Sequence, residues 1–143
     1  MAVGEAPPLL LWIVGASIAI LVTNLYFAQS LIAVIAPDLG IQPRFAGAVV
    51  SASQFGYGLG LFLLVPLADM VENRRLVLVC GLFAVMGTFG LSIATSATVF
   101  LCCAFVTGVF SSGAQVLVPY LSHAVPVSRR GRVLGIVMAG VLL

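Results

Sequence analysis

Four stretches of this chain, residues 9–35, 45–67, 76–93 and 99–121, contain no Asp, Glu, Lys, Arg or His. A helix that crosses a bilayer needs about 20 mostly apolar residues, and these runs approach or exceed that length. In hydrocarbon every backbone N–H and C=O must be satisfied inside the protein, so long apolar runs without strand-like alternation are expected as helices. The rest of the composition agrees: 62% of the 143 residues are hydrophobic and 7% are charged, where soluble domains carry roughly 25% charged residues. A chain this short cannot bury so much apolar surface in a soluble core. Lipid is its expected solvent, and the expected fold class is an all-α polytopic membrane protein.

The runs are separated by short polar breaks: APDLGIQPR (36–44), PLADMVENRR (66–75), ATSATV (94–99) and HAVPVSRRGR (123–132). Pro37 disfavours helix at Ala36, and Gly40 and Pro43 mark a turn. The expected helices are therefore about 9–35, 45–67, 76–93 and 99–121. A fifth begins at Val133 and stops at Leu143 after about 16 Å, against a hydrocarbon core of roughly 30 Å. Half a span leaves carbonyls unsatisfied, so the expectation is one partial transmembrane domain, 1–143, with four complete helices and a truncated fifth.

Arginines choose the orientation. Arg74 and Arg75 fall between runs two and three, and Arg129, Arg130 and Arg132 between four and five, against Arg44 alone between one and two. The positive-inside rule puts the basic turns and the N-terminus in the cytoplasm. MAVGEAPP has no basic n-region, so no cleaved signal is expected. A net charge of +2 with no lysine gives nucleic acid no purchase. Cys80, Cys102 and Cys103 lie inside apolar runs without metal-ligand spacing and read as small buried thiols. No metal and no cofactor are expected.

VPLADMVENRR (65–75) resembles the loop between helices two and three of the major facilitator superfamily, which reads roughly G-x-L-A-D-R-x-G-R-R. Leu67, Ala68, Asp69 and Arg74 match by position, and Arg75 continues the basic run. Val65, Met70, Glu72 and Asn73 depart from the pattern, so both motif glycines are lost. NLYFAQSLIAVIAPDLGI (24–41), and AQVLVPY followed by RRGRVLG, resemble bacterial drug-exporter-like members. The resemblance implies the N-terminal part of a helix bundle whose second half is missing, in a bacterial inner membrane. It implies secondary transport of a small molecule, efflux by alternating access, with protons as a candidate coupling ion. It also implies a cytoplasmic clamp at Asp69, with Glu72, Arg74 and Arg75 sharing the charges. The alternative for those residues is a solvated turn that only fixes topology.

Polar and small residues supply the cavity candidates. Gly47, Ser51, Gln54 and Gly58 recur at i, i+4, i+7 and i+11 and so share a helix face. Gly108, Ser111, Gln115 and Pro119 do likewise, beside Ser112. Asn24, Tyr26 and Gln29 do not share one face. Such groups at membrane depth line an aqueous cavity or tie helices together, and both readings stand. In the resembled family helices one, two, four and five line the central cavity or its gates, which favours a cavity role for Gln115. GYGLG (56–60) lacks the preceding strand of a nucleotide loop and reads instead as helix packing through Gly56 and Gly60, a spacing repeated by Gly131 and Gly135. Ala104 stands where many exporters of the superfamily carry a buried arginine. His123, just past the fourth run, reads as an interfacial polar residue. No nucleophile, metal cluster or acid–base pair lies at membrane depth, so no enzyme is expected. The alternative to a transporter is a small multi-span structural or assembly protein.

Overall fold

The computed structural model describes residues 8–42, 46–124, 130, 131 and 135. They form α1 (Pro8–Asp38), α2 (Ala46–Leu67), α3 (Asn73–Ile93), α4 (Ala97–Ser111) and α5 (Gly113–Ala124). At 1.5 Å per residue α2 and α3 are about 33 and 31 Å long, close to the hydrocarbon thickness. Gly47–Leu67, Asn73–Ile93 and Ala97–Pro119 are each long and apolar enough to cross a membrane. The truncated fifth span lies outside the described residues except at Gly135.

α1 runs three residues beyond the sequence-based limit at Ile35. Pro37 sits in its last turn, and the helix ends in a Schellman motif rather than at the proline. Ile41 N–H donates to Ala36 O at 2.8 Å and Gly40 N–H to Pro37 O at 3.1 Å. Gly40 takes the left-handed conformation, φ +65°, that this cap requires. Ile41 then packs with Ala36 in one apolar cluster, completing the motif. Proline's restriction on Ala36 is a preference, and the cap outweighs it.

The fourth span is interrupted. Ser112 is a turn between α4 and α5, where its N–H donates to Val109 O at 3.3 Å and Gln115 N–H donates to Ser112 O at 2.9 Å. These i→i−3 bonds tighten the helix at the Ser111-Ser112-Gly113 step, a composition where helices bend.

α2 and α4 form the tightest pair and run in the same direction. Val49 packs in the cluster of Phe100 and Ala104. Further along, Gly60 faces Val109 and Ser112, and Leu64 and Val65 pack in the cluster of Val116. Glycines on both helices permit the approach. A Cβ on Gly56 would fall on the carbonyl of Phe105, and one on Gly60 on that of Val109. One on Gly108 would fall on the carbonyl of Ser53. α3 closes the other side of α4, with Phe83 stacked on Phe110 at 4.7 Å.

Besides the cluster of Leu76, Cys80 and Val116, the core has two further apolar clusters. One joins Val14, Ile18 and Leu21 to Ala84, Ala114 and Leu117; the other joins Ile32 and Ala36 to Val49, Leu91, Phe100 and Ala104. Between them on α4 lie Thr107 and Ser111, both buried with hydroxyls that have no protein partner among the described residues. Other span hydroxyls satisfy themselves locally: Ser17, Ser30, Ser53 and Ser92 each donate to the carbonyl four residues back, which lowers their cost in lipid. α3 turns Leu78, Leu82, Val85, Met86, Phe89 and Ile93 outward. A surface that apolar is a lipid surface.

Candidate functional site

α2 has two opposed faces. Val49, Ser53, Gly56 and Gly60 are buried, and at 100° per residue Gly47, Ser51, Gln54 and Gly58 lie about half a turn away. All four are exposed, and a Cβ at Gly47 or Gly58 would meet nothing within 4 Å. The polar stripe expected from the sequence therefore points away from the rest of the described fold. Gly56 and Gly60 belong to the packed edge. Gly131 and Gly135 repeat the spacing, but a Cβ there meets nothing within 4 Å among the described residues.

Tyr57 lies on the flank between those two faces of α2. Gln115 Nε2 donates to its hydroxyl at 2.9 Å, tying α5 to the middle of α2, and both residues are half-buried. Tyr57 was not singled out in the sequence, where its place inside GYGLG drew attention to the glycines. A phenol at the centre of a span needs a polar partner, and that need was the available signal. Ser111 and Gly108 do not share an open face with Gln115. Ser111 is 0% exposed and Gly108 rests on Ser53. The turn at Ser112 separates them from Gln115, while Pro119 is exposed.

On α1 the three polar residues diverge. Asn24 is tied to α3: Thr88 Oγ1 lies 2.5 Å from Asn24 Oδ1 and 2.9 Å from Ala84 O, and Asn24 Nδ2 reaches Ala84 O at 3.4 Å. The pair sits in a groove of about 590 Å³ between α1 and α3, lined also by Ile20, Thr23, Val85 and Phe89. Gln29 occupies the opposite flank of the buried stripe of α1, by helical rotation, so it faces away from α3. Its Nε2 is buried without a protein partner among the described residues. Tyr26 is 49% exposed.

The α2–α3 connection is five residues, Ala68 to Glu72. Asn73, Arg74 and Arg75 form the first turn of α3 rather than part of the loop. Glu72 is the N-cap residue, and its carboxylate accepts from Arg75 Nε at 2.9 Å instead of capping the backbone. Asp69 is exposed and makes no ion pair among the described residues. Two cations at a helix N-terminus oppose the macrodipole, so their placement does not serve the helix itself. His123 lies within α5. Arg44, Arg129 and Arg132 lie outside the described residues.

Comparison with known proteins bears on this arrangement. The Major Facilitator Superfamily profile matches residues 11–143. The chain is 36% identical over 139 residues to the uncharacterized transporter YgaY of Escherichia coli O157:H7, covering 97% of this chain and 35% of that protein. It is 31% identical over 137 residues to Probable transporter SCO4007 of Streptomyces coelicolor, covering 96% of this chain and 32% of that one. It is 34% identical over 98 residues to the Major myo-inositol transporter IolT of Bacillus subtilis, covering 67% and 21%. The chain thus spans about a third of the length of the first curated relatives it matches. No solved structure matches it. The chain belongs to the Major Facilitator Superfamily.

Proposed function

We propose that this chain forms the opening spans of a secondary transporter that exports a small molecule across a bacterial inner membrane by alternating access. Its N-terminus lies in the cytoplasm, its α3 surface faces lipid, and the remainder of the polypeptide supplies the second half of the pathway. The observation that carries the reading is the stripe Gly47, Ser51, Gln54 and Gly58, opposite the packed edge of α2. Polar and small groups turned away from a bundle at membrane depth are costly against lipid, and they are at home on an aqueous wall. Alternating access by two rocking halves needs such a wall near the midplane. Asp69 is the clamp residue of the cytoplasmic end, and protons are the candidate coupling ion.

Substituted-cysteine accessibility in the full-length protein tests this. Gln54→Cys should react with a hydrophilic thiol reagent, and Phe89→Cys on the outer face of α3 should not. Equal resistance at both positions would remove the aqueous wall and leave a packing role for the stripe.

A further inference from the structure

We propose that Tyr57 and Gln115 together form an uncharged donor–acceptor subsite that selects neutral, hydroxyl- or amide-bearing substrates. The inference rests on the transporter reading above and names its substrate class.

The pair's chemistry starts with what its hydrogen bond leaves over. As placed, Gln115 donates to the Tyr57 oxygen, so the phenol proton and the Gln115 carbonyl oxygen remain available. If the amide is turned over, the phenol donates to the carbonyl, and the amide N–H groups and the phenol oxygen remain. Either way the pair offers one donor side and one acceptor side. A hydroxyl or a carboxamide on a ligand answers both at once. A cation has no use for the donor, and an anion has none for the acceptor.

Position adds a second argument. Tyr57 stands 11 residues from Ala46 and 10 from Leu67, at the centre of α2, about 15 Å from either end. One turn before it on the same helix, Gln54 continues the polar flank onto the exposed stripe. These groups are all neutral. Runs 9–35, 45–67, 76–93 and 99–121 contain no Asp, Glu, Lys, Arg or His, so these four spans offer a charged ligand no counter-charge. An unpaired ion at membrane depth is strongly disfavoured, whereas a neutral polar ligand needs only hydrogen bonds of the kind this pair keeps open.

The groove between α1 and α3 is a poorer candidate. Two of its polar members, Asn24 and Thr88, are already bonded to each other, and its outer walls are the lipid-facing Ile20, Val85 and Phe89.

The test uses the full-length protein in proteoliposomes. Counterflow is measured with D-mannitol, D-glucose and acetamide as neutral probes, and with tetraphenylphosphonium and benzoate as charged ones. Transport confined to neutral probes is expected. Tyr57→Phe keeps the ring and removes only the hydroxyl, so it should raise KM roughly three- to tenfold, the worth of one hydrogen bond, with unchanged maximal rate and a melting temperature lowered by no more than the loss of the bond to Gln115 accounts for. Gln115→Glu, of nearly the same size, should admit tetraphenylphosphonium. Transport confined to charged probes, or a Tyr57→Phe protein with lowered melting temperature and unchanged KM, would overturn the subsite and leave the transporter reading standing. A folded protein that moves none of the five probes overturns both.

Discussion

A methyl group added at Gly60 would lie against the carbonyl oxygen of Val109 and the side chain of Ser112, whereas one added two residues earlier at Gly58 would meet nothing within 4 Å. The two positions share a helix and a residue type, so they make a controlled comparison. Gly60→Ala should destabilise the bundle by about 1–3 kcal/mol, because the clash is with backbone and the helices must separate. Gly58→Ala should be neutral or slightly stabilising, since alanine is the better helix former. Thermal unfolding of the two variants in detergent checks this, and equal melting temperatures would show that α2 and α4 do not touch as described. Sequence spacing had marked Gly56 and Gly60 as a packing pair. It had no means of finding that Gly108 answers from the facing helix over Ser53. Reciprocity of that kind depends on register between helices, which a single chain read by itself does not encode. For the same reason Asn24 and Thr88, 64 residues apart, read as unrelated polar residues. Asn24→Ala leaves Thr88 its bond to Ala84 O, so its cost should stay near the 0.6–2 kcal/mol typical of interhelical hydrogen bonds in membranes.

At the scale of elements, lengths were legible and irregularities were not. The apolar runs fix where hydrocarbon begins and ends, so α2 differs from its expected limits by one residue at one end and by none at the other. The turn at Ser112 was missed because serine and glycine are common in membrane helices, and nothing local distinguishes a bend from a continuous span. Of the residues expected on one face, Gly108 and Ser111 are buried and Gln115 is half-buried. The end of α1 was also misjudged, since Pro37 drew the boundary that Gly40 sets. Gly40→Ala should therefore cost about 1 kcal/mol through left-handed strain alone, as no atom lies within 4 Å of its Cβ. Gly40→Asn should cost less, and the difference between the two is read from their melting temperatures. The α2–α3 connection carries a different expectation. Glu72 holds Arg75, while Asp69 is exposed and makes no ion pair among the described residues. If Asp69 clamps the cytoplasmic side, Asp69→Asn removes contacts worth roughly 1.5–3 kcal/mol each. That suffices for about a tenfold shift toward inward-open forms. The readout is loss of reactivity at Gln54→Cys from the periplasmic side, and unchanged reactivity would reduce Asp69 to a solvated turn charge.

For the whole molecule the question is which end of the bundle faces the cytoplasm. α2 is about 33 Å long, so the connections at its two ends lie on opposite sides of the membrane and one labelling experiment on both decides the orientation. The α2–α3 end carries Arg74 and Arg75 in the first turn of α3, where they oppose the helix macrodipole. A placement that costs the helix something is best explained by the rule that keeps basic residues on the cytoplasmic side. Met70 and Gln42 are suitable probes, both exposed and uncharged, one at each end. Cys80 is buried against Gly113 and can remain, while Cys102 and Cys103 are replaced by alanine. In intact cells an impermeant thiol reagent should label Gln42→Cys and spare Met70→Cys, and permeabilised cells should show both. Labelling of Met70→Cys before permeabilisation would invert the bundle. It would then put Asp69, Glu72 and the two arginines outside the cell, and the cytoplasmic clamp would have to be abandoned along with the orientation.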